Sequence, residues 1–278
     1  MIPAPFYTLT QGDLTVSAVS DGQMAAPLTL LSGLTPEEAV RLQLQAGIAS
    51  PETIEIGAYL IRGRGHMVLV DTGTGGVNGV GGALIASLAQ LGVRPEEIDT
   101  ILLTHAHPDH IGGLLTAAGA PAFPRATVYL PWREQAYWLA ASTLANASDR
   151  GQRNVLFVRR VLAICAEQIR ELNEETRVAG IQPCALPGHT PGHTGYRLEL
   201  GDTSLLIWGD IVHFPPIQTA RPEVSVAFDV DPDQARQTRE NVLRQAASEQ
   251  WLIAGMHLGL PGFARVVETP SGYLLRAV

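Results

Sequence analysis

The stretch DTILLTHAHPDHIGG, residues 99–113, constrains the fold more than any other part of the chain. Ile101, Leu102 and Leu103 make a short, nearly all-apolar run that reads as a buried strand. That strand delivers three histidines and an aspartate within the next few positions, His105 to His110. Polar chemistry placed at a strand's C-terminal end is where α/β folds usually build sites. His105 and His107 are two residues apart, so in extended backbone both project from one face. Pro108 disfavours a helical conformation at His107 and keeps the pair extended. Asp109 and His110 fall in the first turn of a helix, and Gly112-Gly113 allows a close backbone approach. One ion could not easily take all four side chains from so short a segment, whereas two adjacent ions could. Imidazole and carboxylate suit zinc, and also iron, manganese or cobalt.

Strands alternate with helices along the rest of the chain. TIEIGAYLIRGRGHMVLVDTG reads as a hairpin turning at Arg62–Gly65, with the strand Met67–Val70 running into Asp71. GALIASLAQLG is a helix stopped by Gly92, and ATVYLP is a further strand. Residues 131–176 read as mostly helical, with Val158, Val161, Leu162, Cys165, Ile169 and Leu172 at helical spacing. YRLELGDTSLLIWGD reads as a hairpin around Gly201-Asp202. Thr35 and Asp231 each open a helix with Pro at N1, and Gln234 at N3 completes a capping box with Asp231. WLIAGM is a strand leading into His257. A faint two-fold echo links VLVDTG and LLIWGD, both apolar strands ending in an acid. It predicts two βα layers packed together within a single domain spanning 1–278.

Composition narrows the function classes. Apolar residues make up 46% and charged residues 17% of 278, an ordinary globular balance. A net charge of -8 argues against a nucleic-acid footprint, which needs clustered Lys and Arg. No apolar run is long enough for a membrane span. The start, MIPAPFYTLTQGDL, lacks the basic and apolar regions of a signal peptide. Cys165 and Cys184 read as buried thiols, and a cytoplasmic location is expected.

Two metals need more ligands than four, and later strand ends offer them: His189 and His193 in PGHTPGH, Asp210 in WGD, His257 in AGMH. Asp71 is placed to accept the free N–H of a ligand histidine. His66 reads as an exposed loop residue, and His213 as either structural or part of a pocket wall.

At these residues the chain resembles the metallo-β-lactamase-fold hydrolase superfamily, in order through VDTG, THAHPDHIGG, PGHTPGHT, GD and MH. The resemblance implies a four-layer αβ/βα sandwich, two mixed β-sheets flanked by helices, with the site at one edge. It implies that His105, His107 and His189 hold one metal and that Asp109, His110 and His257 hold the other. Asp210 would bridge both, and His193 would stand behind the ligands. ATVYLPWREQAYWL, WGDIVHFPPIQ, PEVSVAFDVDPDQA and IAGMHLGLPGFARV resemble the methyl parathion hydrolase-like branch. Acyl-homoserine lactonases typically carry tyrosine where this chain has His213. A homodimer is implied by the resemblance alone.

Two divalent ions would carry four positive charges, and Asp109, Asp210 and a bridging hydroxide would offset about three of them, leaving a field that favours an anionic transition state. The hypothesis is that the hydroxide attacks a carbonyl or phosphoryl centre, with Asp109 and Asp210 as the catalytic acids and Asp210 orienting the nucleophile. No Ser elbow is present. Trp132, Tyr137, Trp138, Phe157, His213, Phe214, Leu258, Leu260 and Phe263 are pocket candidates and favour a neutral, moderately apolar small molecule. Esters of the lactone or aryl type come first. Organophosphate phosphotriesters, a glyoxalase II-like thioesterase and a mononuclear iron sulfur dioxygenase are the alternatives.

Overall fold

The computed structural model describes residues 4–278; the first three residues of the stretch read above as lacking a leader lie outside them. The chain runs β1 (Phe6–Gln11), β2 (Leu14–Ala25), β3 (Leu31–Ser32), α1 (Pro36–Gln45), β4 (Thr53–Gly63), β5 (His66–Val70), α2 (Leu84–Gln90), β6 (Thr100–Leu102), α3 (Pro108–Ile111), β7 (Thr127–Pro131), α4 (Trp132–Leu139), α5 (Ala141–Ala145) and α6 (Asp149–Ile164). It continues through β8 (Ile169–Leu172), β9 (Gln182–Ala185), β10 (Thr194–Leu200), β11 (Thr203–Ile207), α7 (Pro215–Gln218), β12 (Ser225–Val226), α8 (Pro232–Ser248), β13 (Leu252–Ala254), β14 (Phe263–Thr269) and β15 (Gly272–Ala277).

Two mixed sheets form, in the orders β1-β2-β4-β5-β6-β7-β8 and β15-β14-β13-β11-β10-β9, and β3 pairs with β12 apart from them. Strand alternation sorts the apolar side chains into layers. Val68, Val70 and Leu102 of the first sheet meet Leu205, Ile207, Leu252 and Ala254 of the second in a core between the sheets. The alternate residues Leu69 and Ile101 face outward onto Leu84 and Leu88 of α2 and Val158 and Val161 of α6. On the other side Leu206 and Ile253 face Val242, Leu243 and Ala246 of α8. Each such buried side chain stabilises the fold by roughly 1.5–3 kcal/mol relative to exposure. The result is the helix–sheet–sheet–helix sandwich. The two echoing strands, β5 and β11, lie in different sheets.

Local signals hold at most element ends. Gly63 pairs with His66, so the first hairpin turns on Arg64 and Gly65, both at positive φ, one residue later than expected. Thr35 and Asp231 cap α1 and α8 by accepting from Glu38 N and Gln234 N. The capping box at Asp231 is only half made, because the Gln234 amide bonds Thr238 instead. The helical reading of 131–176 fails beyond Ile164: Ile169–Leu172 is β8, parallel to β7. In a helix Ile169 and Leu172 would share a face, but in a strand they point oppositely. Ile169 packs on the outer cluster and Leu172 enters the inter-sheet core. No helix among the described residues is long and apolar enough to cross a membrane.

One loop is tied down by a single acid. Asp21 of β2 is fully buried and accepts from Thr74 N and Thr74 Oγ1 through Oδ2, both at 2.9 Å, and from Leu84 N through Oδ1, also at 2.9 Å. The glycine-rich segment 75–83 runs between those two anchors, with Asn78 and its glycines at positive φ.

Candidate metal centre

The C-terminal ends of β6, β11 and β13 converge on one edge of the sandwich. β6 passes into His105, β11 into the turn holding Asp210, and β13 into His257, while His189 comes from the loop between β9 and β10. His107 is extended (φ -63, ψ 153) and caps α3, whose single turn carries Asp109 and His110. Gly112 and Gly113 press against the backbone of Thr74 and Thr72, where any Cβ would collide. That contact holds the histidine segment against the strand end carrying Asp71.

Ligand-type atoms meet in overlapping trios. His105, His107 and His189 form one, and Asp109, His110 and His257 another, each with its atoms within 4.8 Å of one another. His107 Nδ1 lies 2.9 Å from both His105 Nε2 and His189 Nε2. Asp210 stands between the trios: Oδ2 is 3.3 Å from His189 Nε2 and 3.2 Å from His257 Nε2, and Oδ1 is 3.3 Å from His110 Nε2.

Hydrogen bonds behind these atoms settle the ring tautomers. Nδ1–H of His110 donates to Asp71 Oδ2 at 2.7 Å, that of His189 to Asp229 Oδ1 at 2.8 Å, and that of His257 to the Glu55 carbonyl at 2.6 Å. His105 Nδ1 donates to Thr104 Oγ1 at 3.0 Å. In its neutral form each ring therefore turns a lone-pair Nε2 inward, all four within 3.7 Å of an Asp210 oxygen. Lone pair facing lone pair is repulsive unless a cation sits between. His110 Nε2 and Asp210 Oδ1 are accordingly buried with no hydrogen-bond partner among the described residues. This donor set of imidazoles and carboxylates fits divalent metal ions.

The electrostatics agree with that fit. Burial opposes the charged form of His110, His189 and His257, yet the carboxylates overcome it, raising all three, His189 to about 9. Burial and neighbouring imidazoles push His107 down to about 3. Burial would raise Asp109 and Asp210, but the surrounding histidines hold both below the usual carboxylate range, so both stay ionised.

Asp71 is fully buried at positive φ; besides His110 it accepts from Thr104 N and Thr104 Oγ1, both at 2.7 Å. His193 has neither nitrogen to spare. Nδ1–H donates to the Leu186 carbonyl at 2.8 Å and Nε2 accepts from Asp210 N at 2.9 Å, fixing the turn that carries Asp210. Asp229 escaped the sequence reading. It lies in AFDVDPDQA, where Asp231 drew attention as a helix cap, and nothing local shows that it reaches His189. Glu134, buried beneath both histidine loops, also left no local signal.

A cavity of about 1060 Å³ opens over these side chains. Trp138, Phe157, Tyr137 and His213 line it as expected, together with Met24, Ile54, Val77, Val80 and Phe228. His213 Nε2–H donates to Asp210 Oδ2 at 3.0 Å, and burial lowers the ring to about 4, leaving it neutral. Five expected wall residues lie elsewhere. Trp132 is 48% exposed at the start of α4, beneath the Arg133 guanidinium. Phe214 is buried with Ala26 and Leu28 in a separate core cluster. Leu258 packs on the α8 side, and Phe263, opening β14, points between the sheets against Tyr59. Leu260 is exposed at 44%, away from the cavity.

The Metallo-beta-lactamase superfamily matches residues 57–257, a span containing all seven proposed ligands. Over 115 residues, 41% of this chain, the sequence is 35% identical to hydroxyacylglutathione hydrolase of Vibrio campbellii; the match spans 33% of that protein's length. Hydrolase AbOPH, a solved structure in the beta lactamase superfamily, superposes with a TM-score of 0.92 at 28% identity, covering 100% of this chain and 99% of that one. AidC, a dizinc quorum-quenching lactonase in complex with a product, gives 0.90 at 23% identity over 98% of this chain and 97% of its own, a likeness of fold. This chain belongs to the metallo-beta-lactamase superfamily.

Proposed function

We propose that the protein is a dinuclear metal-dependent hydrolase of ester-type bonds, lactones or aryl esters first, with phosphotriesters as further substrates, and that it is nearest to the methyl parathion hydrolase-like branch. The observation that carries the reading is the pair of ligand trios flanking Asp210 at the floor of a large, mainly apolar cavity. His105, His107 and His189 would hold one ion, Asp109, His110 and His257 the other, with Asp210 between them and zinc the first choice. Such ions acidify water and polarise the oxygen that gains charge during attack.

The chain's own groups supply the rest. Asp109 and Asp210 are the acids lining the cavity, and as ionised carboxylates they accept hydrogen bonds from the attacking water and aim it. His213, neutral and donating to Asp210, fixes that carboxylate's orientation from the cavity side. Trp138, Phe157 and Phe228 exclude water around an uncharged substrate. The whole-length likeness to hydrolase AbOPH supports hydrolysis, and the name of AidC supports lactones and two zinc ions.

Metal content measured alongside turnover on lactones, aryl acetates and phosphotriesters tests the proposal. Two ions per chain, with chelation abolishing ester turnover and readded zinc restoring it, is the expected result. Saturating turnover only on glutathione thioesters, or one iron and no second ion, would overturn it.

A further inference from the structure

We infer that Glu134 is a positioning residue that clamps the two histidine loops at a fixed spacing and so governs metal capture by the His105, His107 and His189 trio; the inference rests on the dinuclear reading above. Glu134 sits on α4, outside every ligand trio, and its side chain is fully buried. Each carboxylate oxygen serves one loop. Oε1 accepts from Ala106 N at 3.0 Å, the residue between His105 and His107, and from Trp138 Nε1 at 2.6 Å. Oε2 accepts from Thr190 Oγ1 at 2.6 Å and Gly192 N at 3.1 Å, in the loop carrying His189.

Three of the four partners are N–H groups that can only donate and the fourth is a hydroxyl, so both oxygens serve as acceptors, while burial pushes the carboxyl above its usual range. No cation pairs with it among the described residues. A buried, unpaired charge is costly, and such groups are retained where their hydrogen bonds are complete. The fit is also tight. A Cβ at Gly192 would collide with the Glu134 backbone, so this loop reaches α4 only because residue 192 is glycine. Trp138, held by the same carboxylate, packs edge-on to His107 with ring centroids 5.4 Å apart. One side chain thus sets the distance between His107 and His189, whose facing nitrogens are 2.9 Å apart, and braces the ring beside them. Asp109, His110 and His257 receive nothing from it.

That asymmetry supplies the test. Glu134→Gln keeps the shape but turns an NH₂ group towards two donors. Zinc affinity of the wild type and variant is measured by chelator competition with stepwise stoichiometry, and folding is followed by circular dichroism. The expected result is a folded variant whose two zinc affinities separate, one weakened by about 10–100-fold and the other unchanged. Should Glu134→Gln not fold, Thr190→Val cuts a single tether and is expected to weaken the same ion by a smaller factor. Two zinc ions held as tightly as in the wild type, or both weakened equally, overturns the inference and leaves the dinuclear reading intact. A wild type that binds no zinc defeats the dinuclear reading and this inference with it.

Discussion

The floor of the cavity and its wall are built differently. On the floor, every proposed ligand ring except His107 is held from behind by a hydrogen bond to Thr104, Asp71, Asp229 or the Glu55 carbonyl. The wall formed by α5, the cavity side of α6 and the 75–83 loop is mostly exposed or half-buried, and Asn146, Arg150 and Arg153 line the cavity from outside the packed core. The difference teaches that the reaction is fixed by a network that cannot shift piecemeal, while substrate contact is left to surfaces that can.

Substitutions can break or sharpen this contrast. Asp210→Asn, at the centre of the floor, should lower kcat by about 10³-fold or more and release metal, read by turnover and metal analysis. A variant keeping both ions and most of its turnover would place the chemistry elsewhere. Phe263→Ala acts in neither region. It should cost about 3–5 kcal/mol in denaturant titrations, with the KM of the folded fraction unchanged; a raised KM would return Phe263 to the wall. Asp71→Asn keeps a residue that tolerates the left-handed backbone but weakens the acceptor behind His110. Zinc affinity should drop about 10–100-fold by chelator competition. On the wall, Phe157→Ala should lower kcat/KM by about 10-fold, through KM, with metal content unchanged. The smallest effect concerns Cys165, whose thiol burial pushes up to about 11. It should resist alkylation at pH 8 in the native protein, and rapid labelling would show that the outer core opens.

The same contrast explains what the sequence revealed. The floor was legible because its residues are local: apolar strands run into His105, Asp210 and His257, and strand ends in a sandwich share an edge. Pro108 and the paired glycines announced the strand-to-helix turn. Asp229 and Glu134 were not legible, since their value lies in partners 40 and 56 residues away, His189 and Thr190. The wall was half legible. Aromatic character marked Trp138 and Phe157 but equally marked Phe214 and Phe263, because which face a side chain takes depends on the sheet or helix it meets. β8 was misread for a related reason: an i, i+3 apolar pair fits one face of a helix or both faces of a strand, and only the neighbour β7 decides.

Asp21 has a consequence for how such a protein can diversify. A single carboxylate pins both ends of the 75–83 segment, and Val77 and Val80 reach the cavity from between the pins. Side-chain change at Val77, Asn78 or Val80 leaves the anchors, and hence the Asp71 and His110 alignment beside them, in place, whereas a side chain at Gly75 or Gly81 would strike Gly112 or Asp21 itself. The loop is an exchangeable cassette: lineages can retune what enters the cavity by rewriting a few glycine-flanked residues, without renegotiating the catalyst beneath.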